Sequence, residues 1–221
     1  MKESLQQTIA QNLVAINTKV VKDLMTKILV LGPNATQLLS ILGDSLVAES
    51  NDPIDVHQLD EIGCDAIISF GYRHKISDHI LERVNGKAIN VHISLLPWNR
   101  GSNPNFWSWL NNTPKGVSTH WMSSDFDYGD LVSQAVVGFS QDETLRSSYE
   151  KLMKTAASLV DDFWTNHGFE SAPRQPQPEG GSTHTQGQFN SYSPILRLGN
   201  DTLCSEITNF GKQNGLWLLE N

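Results

Sequence analysis

Asn90-Val91-His92-Ile93-Ser94-Leu95-Leu96-Pro97 is the stretch whose reading decides this chain. From Ala88 to Val91 the run is apolar apart from Asn90, and it reads as a buried strand with a polar cluster at its end. Asn90 and His92 stand two residues apart, so in an extended chain they point to the same face. Leu95, Leu96 and Pro97 then turn the chain away. A buried amide and imidazole need partners, because each unpaired polar group costs roughly 1–3 kcal/mol. Taken alone, such a pair is most simply two satisfied core residues; its neighbours decide otherwise.

Upstream, Lys27-Ile28-Leu29-Val30-Leu31 is a short apolar strand ending in Gly32-Pro33-Asn34. Residues 35–42 read as a helix, 45–48 as a second strand, and 65–70 as a third, followed by the loop from Gly71 to Lys75. Ser77 is placed to cap a helix through Val84, and Asn85-Gly86 turns the chain into the Ala88–Val91 strand. Downstream, Asn103-Pro104 opens a helix with a polar cap and a proline in the first turn, and Phe106, Trp107 and Leu110 bury in it. Residues 116–122 and 131–139 are two further strands. Ser140-Gln141-Asp142-Glu143 has the form of a capping box and opens the longest helix, whose stripe is Leu145, Tyr149, Leu152, Ala156, Leu159 and Phe163. Strands alternating with helices predict an α/β fold, a Rossmann-like, doubly wound and mostly parallel sheet. Ligands sit at the carboxyl ends of such strands, where Gly71-Tyr72 and Asn90-x-His92 fall.

Residues 1–24 carry an amphipathic stripe through Leu5, Ile9, Leu13, Ile16, Val20 and Leu24. The pattern changes at Met25, which marks that residue as a candidate alternative translation start and residues 1–24 as an accessory helix or a remnant. From Gly168 the composition shifts to Pro173, Pro176, Pro178, Gly180 and Gly181, which reads as a linker leaving the core. Beyond it, residues up to Ser193 read as irregular, Pro194–Leu198 as a strand, and Asp201 as the cap of a short helix through Phe210. The expected organisation is an accessory helix (1–24), a core (25–168) and a C-terminal extension (169–221) that packs on the core or on a second subunit.

The net charge of −8 argues against a protein that grips a phosphate backbone. Two cysteines, Cys64 and Cys204, supply neither a disulfide framework nor metal-ligand spacing. No stretch approaches the roughly 20 apolar residues of a membrane span. The N-terminus lacks the apolar core of a signal peptide. The expectation is a cytoplasmic protein that holds no metal and engages neither membrane nor nucleic acid.

Three pieces in register carry a resemblance: Asn90-x-His92-x-Ser94-Leu95-Leu96-Pro97, then Arg100-Gly101-x-x-Pro104-x-x-Trp107, then Gly116-Val117 through Asp127-x-Gly129-Asp130. Their order and spacing resemble the formyltransferases that use 10-formyltetrahydrofolate, over roughly residues 26–165. The resemblance implies the formyltransferase fold, a folate cosubstrate without a metal, and Asn90, His92 and Asp127 as the catalytic residues. The trio suits attack of a neutral amine on a formyl carbon. An amide N–H from Asn90 can stabilise the developing oxyanion, a contribution of typically about a hundred- to a thousandfold in rate. His92, with an ordinary imidazole pKa of about 6.5, can donate to the same oxygen or move the amine's proton, and Asp127 can orient and charge it. Which of His92 and Asp127 first takes the proton stays open. By the same resemblance the folate lies between Tyr72, Arg73, His74, Lys75 and Ile76 on one side and Met122, Ser123, Ser124, Asp125 and Asp127 on the other.

The family has several branches. One acts on glycinamide ribonucleotide and uses a glycine-rich phosphate loop after the first strand, where this chain has only Gly32 beside Pro33. The methionyl-tRNA branch carries a further nucleic-acid-binding domain and a basic face. The run Leu96-Pro97-Trp98-Asn99-Arg100-Gly101-x-x-Pro104-Asn105-x-Trp107 is similar instead to the enzymes that formylate nucleotide-linked (UDP-, dTDP- or GDP-) amino sugars. That resemblance implies Ser94, Trp98, Asn99, Arg100, Gly101, Pro104 and Asn105 as substrate contacts, a product for surface polysaccharide such as lipopolysaccharide O-antigen, and a homodimer. Arg100 is suited to a pyrophosphate or to bracing its own loop. A relative that hydrolyses formyl-folate, or only binds folate, is the competing class.

Overall fold

Continuous apolar runs form the centre of a six-stranded sheet. The computed structural model describes residues 26–219; the helix expected over residues 1–24 lies outside the described residues. Strands β1 (Ile28–Leu31) and β3 (Ala66–Phe70) are buried at every position, as strands covered on both faces must be. With β2 (Leu46–Ser50), β4 (Ala88–His92), β6 (Gly116–Trp121) and β7 (Leu131–Val136) they stand in the order β2-β1-β3-β4-β6-β7. The first four pair in parallel, whereas β6 and β7 are antiparallel to their neighbours. The short connection from β6 to β7 permits only a reversal. The sheet is thus mostly parallel, as expected, with an antiparallel edge.

Side-chain alternation sorts the strands into two cores. Ile28, Val30, Ile68, Phe70, Ile89 and Val91 face one way, against Leu152, Ala156 and Val160 of the long helix and Phe163 just beyond it. Leu29, Leu31, Ile67 and Ala88 face the other, against Leu59, Ile80 and Val84. Asn90 and His92 share the parity of Ala88, so they continue that second face beyond the point where apolar cover ends. The helices are α1 (Leu39–Leu42), α2 (Val56–Ile62), α3 (Asp78–Arg83), α4 (Pro104–Leu110), α5 (Leu145–Asp162), α6 (Gly168–Ser171), α7 (Gln186–Tyr192) and α8 (Cys204–Gln213). Ser77 caps α3, accepting from the Ile80 N–H as its position predicts.

Several local expectations are corrected. Helix α2 was not anticipated, because its apolar pattern is thin: only Leu59 is buried, and a capping box between Asp55 and Gln58 starts it. The box that opens α5 is Thr144 with Ser147, not Ser140 with Glu143. Glu143 is buried and takes hydrogen bonds from Ser140, Ser147 and Lys151, so its carboxylate does not reach back to cap. Tyr149, placed on the buried stripe of that helix, is exposed. Asn103 sits in the left-handed region and donates to Gln186 Oε1 rather than capping α4. Strand β7 ends at Val136 rather than at Phe139.

The largest correction concerns the proline-rich stretch. It does not leave the core but lies along it as a strap. Pro173 O accepts from Trp121 Nε1 at 2.8 Å, and Gln175 exchanges backbone hydrogen bonds with Leu131. Ser182 N donates to Pro97 O, and β8 (Thr183–His184) pairs with β5 (Arg100–Gly101) in parallel. Prolines suit a segment that has few ladder partners for its own N–H groups. Residues expected to be irregular form β8 and α7, and the strand expected over Pro194–Leu198 is a short 3-10 turn, Ser193–Ile195. Asp201 pairs with Arg146 instead of capping α8.

Helices α7 and α8 close a third core with α4, in which Phe106, Trp107, Leu110 and Ile207 are buried and Phe189, Tyr192 and Phe210 pack against them. The approach is close: a Cβ on Gly211 would lie 1.9 Å from Leu110 O. Gly211→Ala must therefore push α8 off α4. It is expected to lower the unfolding free energy by about 1–3 kcal/mol, read as a lower urea midpoint, and to speed proteolysis of the C-terminal segment. An unchanged midpoint would show that α8 is not held by this contact.

Candidate active site

Strand β4 brings Asn90 and His92 to the sheet's carboxyl edge, and antiparallel pairing sets His120 of β6 directly opposite Asn90. Asp127 comes from the turn after β6, with φ of 61°, and its carboxylate closes the group. Asn90 Nδ2 donates to Asp127 Oδ1 at 3.0 Å and lies 3.2 Å from His120 Nε2. Gly101 N donates to Asp127 Oδ2 at 2.8 Å. His92 Nδ1 stands 3.5 Å from Asp127 Oδ2, and His120 Nε2 stands 3.3 Å from Asp127 Oδ1.

Carbonyl partners fix how the rings are used. His92 Nε2 is 2.8 Å from Asn99 O, which can only accept, so Nε2 carries a proton. In the neutral ring the lone pair is then on Nδ1, facing Asp127 and the open site. His120 Nδ1 lies 2.8 Å from Trp121 O and is the protonated nitrogen of that ring by the same reasoning. Its Nε2 accepts from Asn90 when neutral and donates to Asp127 Oδ1 when charged. Both N–H groups of Asn90 are thus engaged, one with neutral His120 and one with Asp127 Oδ1. Burial pushes the Asp127 carboxyl up, but His92, the hydrogen bond and charge of His120, and the Gly101 N–H outweigh it. Together they hold it well below the usual carboxylate range.

These groups stand in the wall of a cavity of about 720 Å³. Residues 72–76 and 122–127 line it, which includes every residue assigned to folate from the sequence. Tyr72 Oη donates to Asp52 O, while Ile76 is buried. Of the expected substrate contacts, only Gly101 and Pro104 reach the cavity. Ser94 donates to Trp98 O, Asn99 is fully buried and donates to Thr113 Oγ1, and Asn105 is spent on Leu145 O and Ser148 Oγ. Trp98 does not line the cavity either. Arg100 is 5% exposed and bonds to Gln177 and Gly180 O, so it braces its own loop, against neutral groups rather than an acid. Buried amides and a buried guanidinium need internal partners, and the C-terminal strap supplies those of Arg100.

Sequence reasoning missed His120, Tyr149, Met153, and the strap residues Thr183 to Gln186, all of which line the cavity. For His120 a signal existed: an antiparallel β6 puts it across from Asn90, but a parallel reading of that strand hides the pairing. His184 stacks on Trp107 with ring centroids 4.0 Å apart, and burial pulls its pKa down to about 4, so it is a neutral wall. Among the described residues no group of three or more His, Cys, Asp or Glu is placed to hold a metal ion. What the arrangement can do is move a proton at His92 Nδ1 beside a fixed anion, and offer amide and imidazole donors to a developing negative oxygen.

The family model described as formyl transferase matches residues 41–161. Among solved structures, the chain is similar to the formyltransferase PseJ from Anoxybacillus kamchatkensis, determined with UDP-4,6-dideoxy-4-formamido-L-AltNAc and tetrahydrofolate. The two are 36% identical, with a TM-score of 0.76 over 84% of this chain and 99% of that one. A 4-N formyltransferase from Francisella tularensis shares the fold at 22% identity, with a TM-score of 0.63 over 76% of this chain and 80% of that one. A sugar N-formyltransferase from a Shewanella species does so at 20% identity, with a TM-score of 0.64 over 83% and 86%.

The low Asp127 carboxyl has a consequence for stability. A folded-state value below the unfolded one contributes stability that is complete above about pH 4 and is lost as pH falls through the folded value. Asp127→Asn has no such titration. The wild type's advantage over the variant, from urea unfolding, is expected to shrink as pH falls below about 4. A difference that stays level throughout would show that the carboxyl is not held down.

Proposed function

This chain belongs to the formyl transferase family, and on that premise we propose that it transfers the formyl group of 10-formyltetrahydrofolate to the amine of a nucleotide-linked amino sugar. The observation that carries the reading is the convergence of Asn90, His92 and Asp127 in one cavity wall. It is supported by similarity, over nearly the whole of that chain, to an enzyme seen with a UDP-linked formamido sugar and tetrahydrofolate. The UDP-linked 4-amino precursor of that sugar is the substrate we assign first.

In this mechanism the amine attacks the formyl carbon and negative charge grows on the formyl oxygen. Asn90 Nδ2 supplies an N–H to that oxygen. His92 Nδ1 takes or returns the proton at the reacting centre, and the imidazolium so formed lies against the Asp127 carboxylate. The transferred proton ends on the folate nitrogen as the carbon–nitrogen bond to folate breaks. Residues 72–76 and 122–125 hold the folate, and Asp127 borders it. Gly101, Ser102, Asn103, Pro104 and the Thr183–Gln186 segment form the opposite wall, where the sugar is seated. We place the reaction in the cytoplasm, in a homodimer, and its product in surface polysaccharide such as lipopolysaccharide O-antigen. The homodimer and the product rest on the sequence resemblance, the cytoplasm on the composition of the chain. No helix among the described residues is long and apolar enough to cross a membrane.

The test mixes enzyme and 10-formyltetrahydrofolate with a panel of UDP-, dTDP- and GDP-linked amino sugars. Tetrahydrofolate is expected only when an accepting amine is present, together with a sugar heavier by one carbonyl. Release without amine would indicate hydrolysis, and no release with any amine would leave a folate-binding protein. His92→Asn and Asp127→Asn are each expected to lower kcat by about 10²–10⁴. Near wild-type turnover in either would remove that residue from the mechanism.

A further inference from the structure

We propose that Gln177, fifty residues beyond Asp127 on the proline-rich strap, is a positioning residue for the reaction, fixing the turn that aims Asp127 between His92 and His120. The proposal rests on the catalytic reading of Asp127. A non-glycine residue at φ of 61° persists only where its surroundings over-determine it. The strap supplies that determination. Gln177 Nε2 donates to Asp127 O at 2.7 Å and to Gly129 O at 2.8 Å, so one amide group spans the turn. Its Oε1 accepts from Arg100 Nη2 at 2.7 Å and Nε at 3.1 Å. A guanidinium can only donate, which settles which way the amide points: oxygen to Arg100, nitrogen to the turn. Every hydrogen-bonding position of the Gln177 side chain is filled.

Arg100 is itself fixed, with its guanidinium 4.0 Å from the centre of the Tyr128 ring and Nη1 on Gly180 O. The next residue, Gly101, gives its N–H to Asp127 Oδ2. The Arg100-Gly101 pair therefore holds Asp127 at both ends: the carboxylate directly, and the backbone carbonyl through Gln177. Loosening the second tie lets the carboxylate drift from the histidines and from Gly101 while leaving all of the reacting groups in place.

Glutamate separates this role from simple filling of space. Gln177→Glu keeps the size and can still accept from Arg100, but it has no N–H for Asp127 O or Gly129 O. Full-length Gln177→Glu and Gln177→Ala are compared with wild type, with exposed Glu179→Gln as a control on the same strap, and with Asp127→Asn. For both Gln177 variants, kcat is expected to fall by about ten- to a hundredfold while KM for folate changes little. Glu179→Gln should behave as wild type. If folded Gln177→Glu keeps kcat while Asp127→Asn is inactive, the proposal is overturned. Should Gln177→Glu not fold, Gln177→Ala decides: a loss of activity matching only the loss of folded protein overturns it too. Turnover retained by Asp127→Asn would instead remove the catalytic reading on which the proposal stands.

Discussion

The Asp127 carboxylate is the point on which the site depends. It is buried, yet it faces an amide N–H from Asn90, a backbone N–H from Gly101 and two imidazoles, and these outweigh the cost of taking a charge out of water. These four groups come from three parts of the chain: β4, which carries Asn90 and His92, the β5 segment and β6. The carboxylate thus ties the end of the central parallel strand to the antiparallel edge and to the loop that follows β4. It also gives His92 a fixed negative neighbour on the nitrogen that faces the open site.

Asn99 has a quieter part with equal consequence. Its side chain is anchored on Thr113 and Ser182, and its backbone carbonyl fixes the tautomer of His92. The run from Trp98 to Asn105, which reads as substrate-contacting, is mostly a frame. Only Gly101 and Pro104 among the residues assigned there reach the cavity, and the side chains of Asn99, Arg100 and Asn105 are turned inward. The C-terminal strap completes that frame, so the segment after the core belongs to the site as much as the strands do.

Much of the centre was legible in the sequence because period and position carry the information. Short apolar runs gave β1, β3 and β4, the alternation of strands and helices gave the layered fold, and Ser77 gave a helix start that the structure repeats. The parity of Asn90 and His92 placed them on one face. The misses have physical causes. Helix α2 buries one side chain, too few to make a stripe. Glu143 fits a capping pattern but is drawn into a buried cluster with Lys151 and Ser147. His120 becomes visible only once β6 is known to run antiparallel to β4.

What the sequence by itself determined is local: which stretches are strands, which side of β4 bears polar groups, and the spaced residue types that mark the reaction class. A two-residue step fixes a shared face whatever the rest of the chain does. What only the tertiary structure decided is partnership. Nothing in the order of residues says that Gln175 bridges to Leu131, that Gln177 spans the Asp127 turn, or that Arg100 finds carbonyls and a tyrosine ring rather than a ligand. Those pairings join segments up to 80 residues apart, as between Arg100 and Gly180. They follow from the need to satisfy every buried donor and acceptor at once, which only the folded chain can meet.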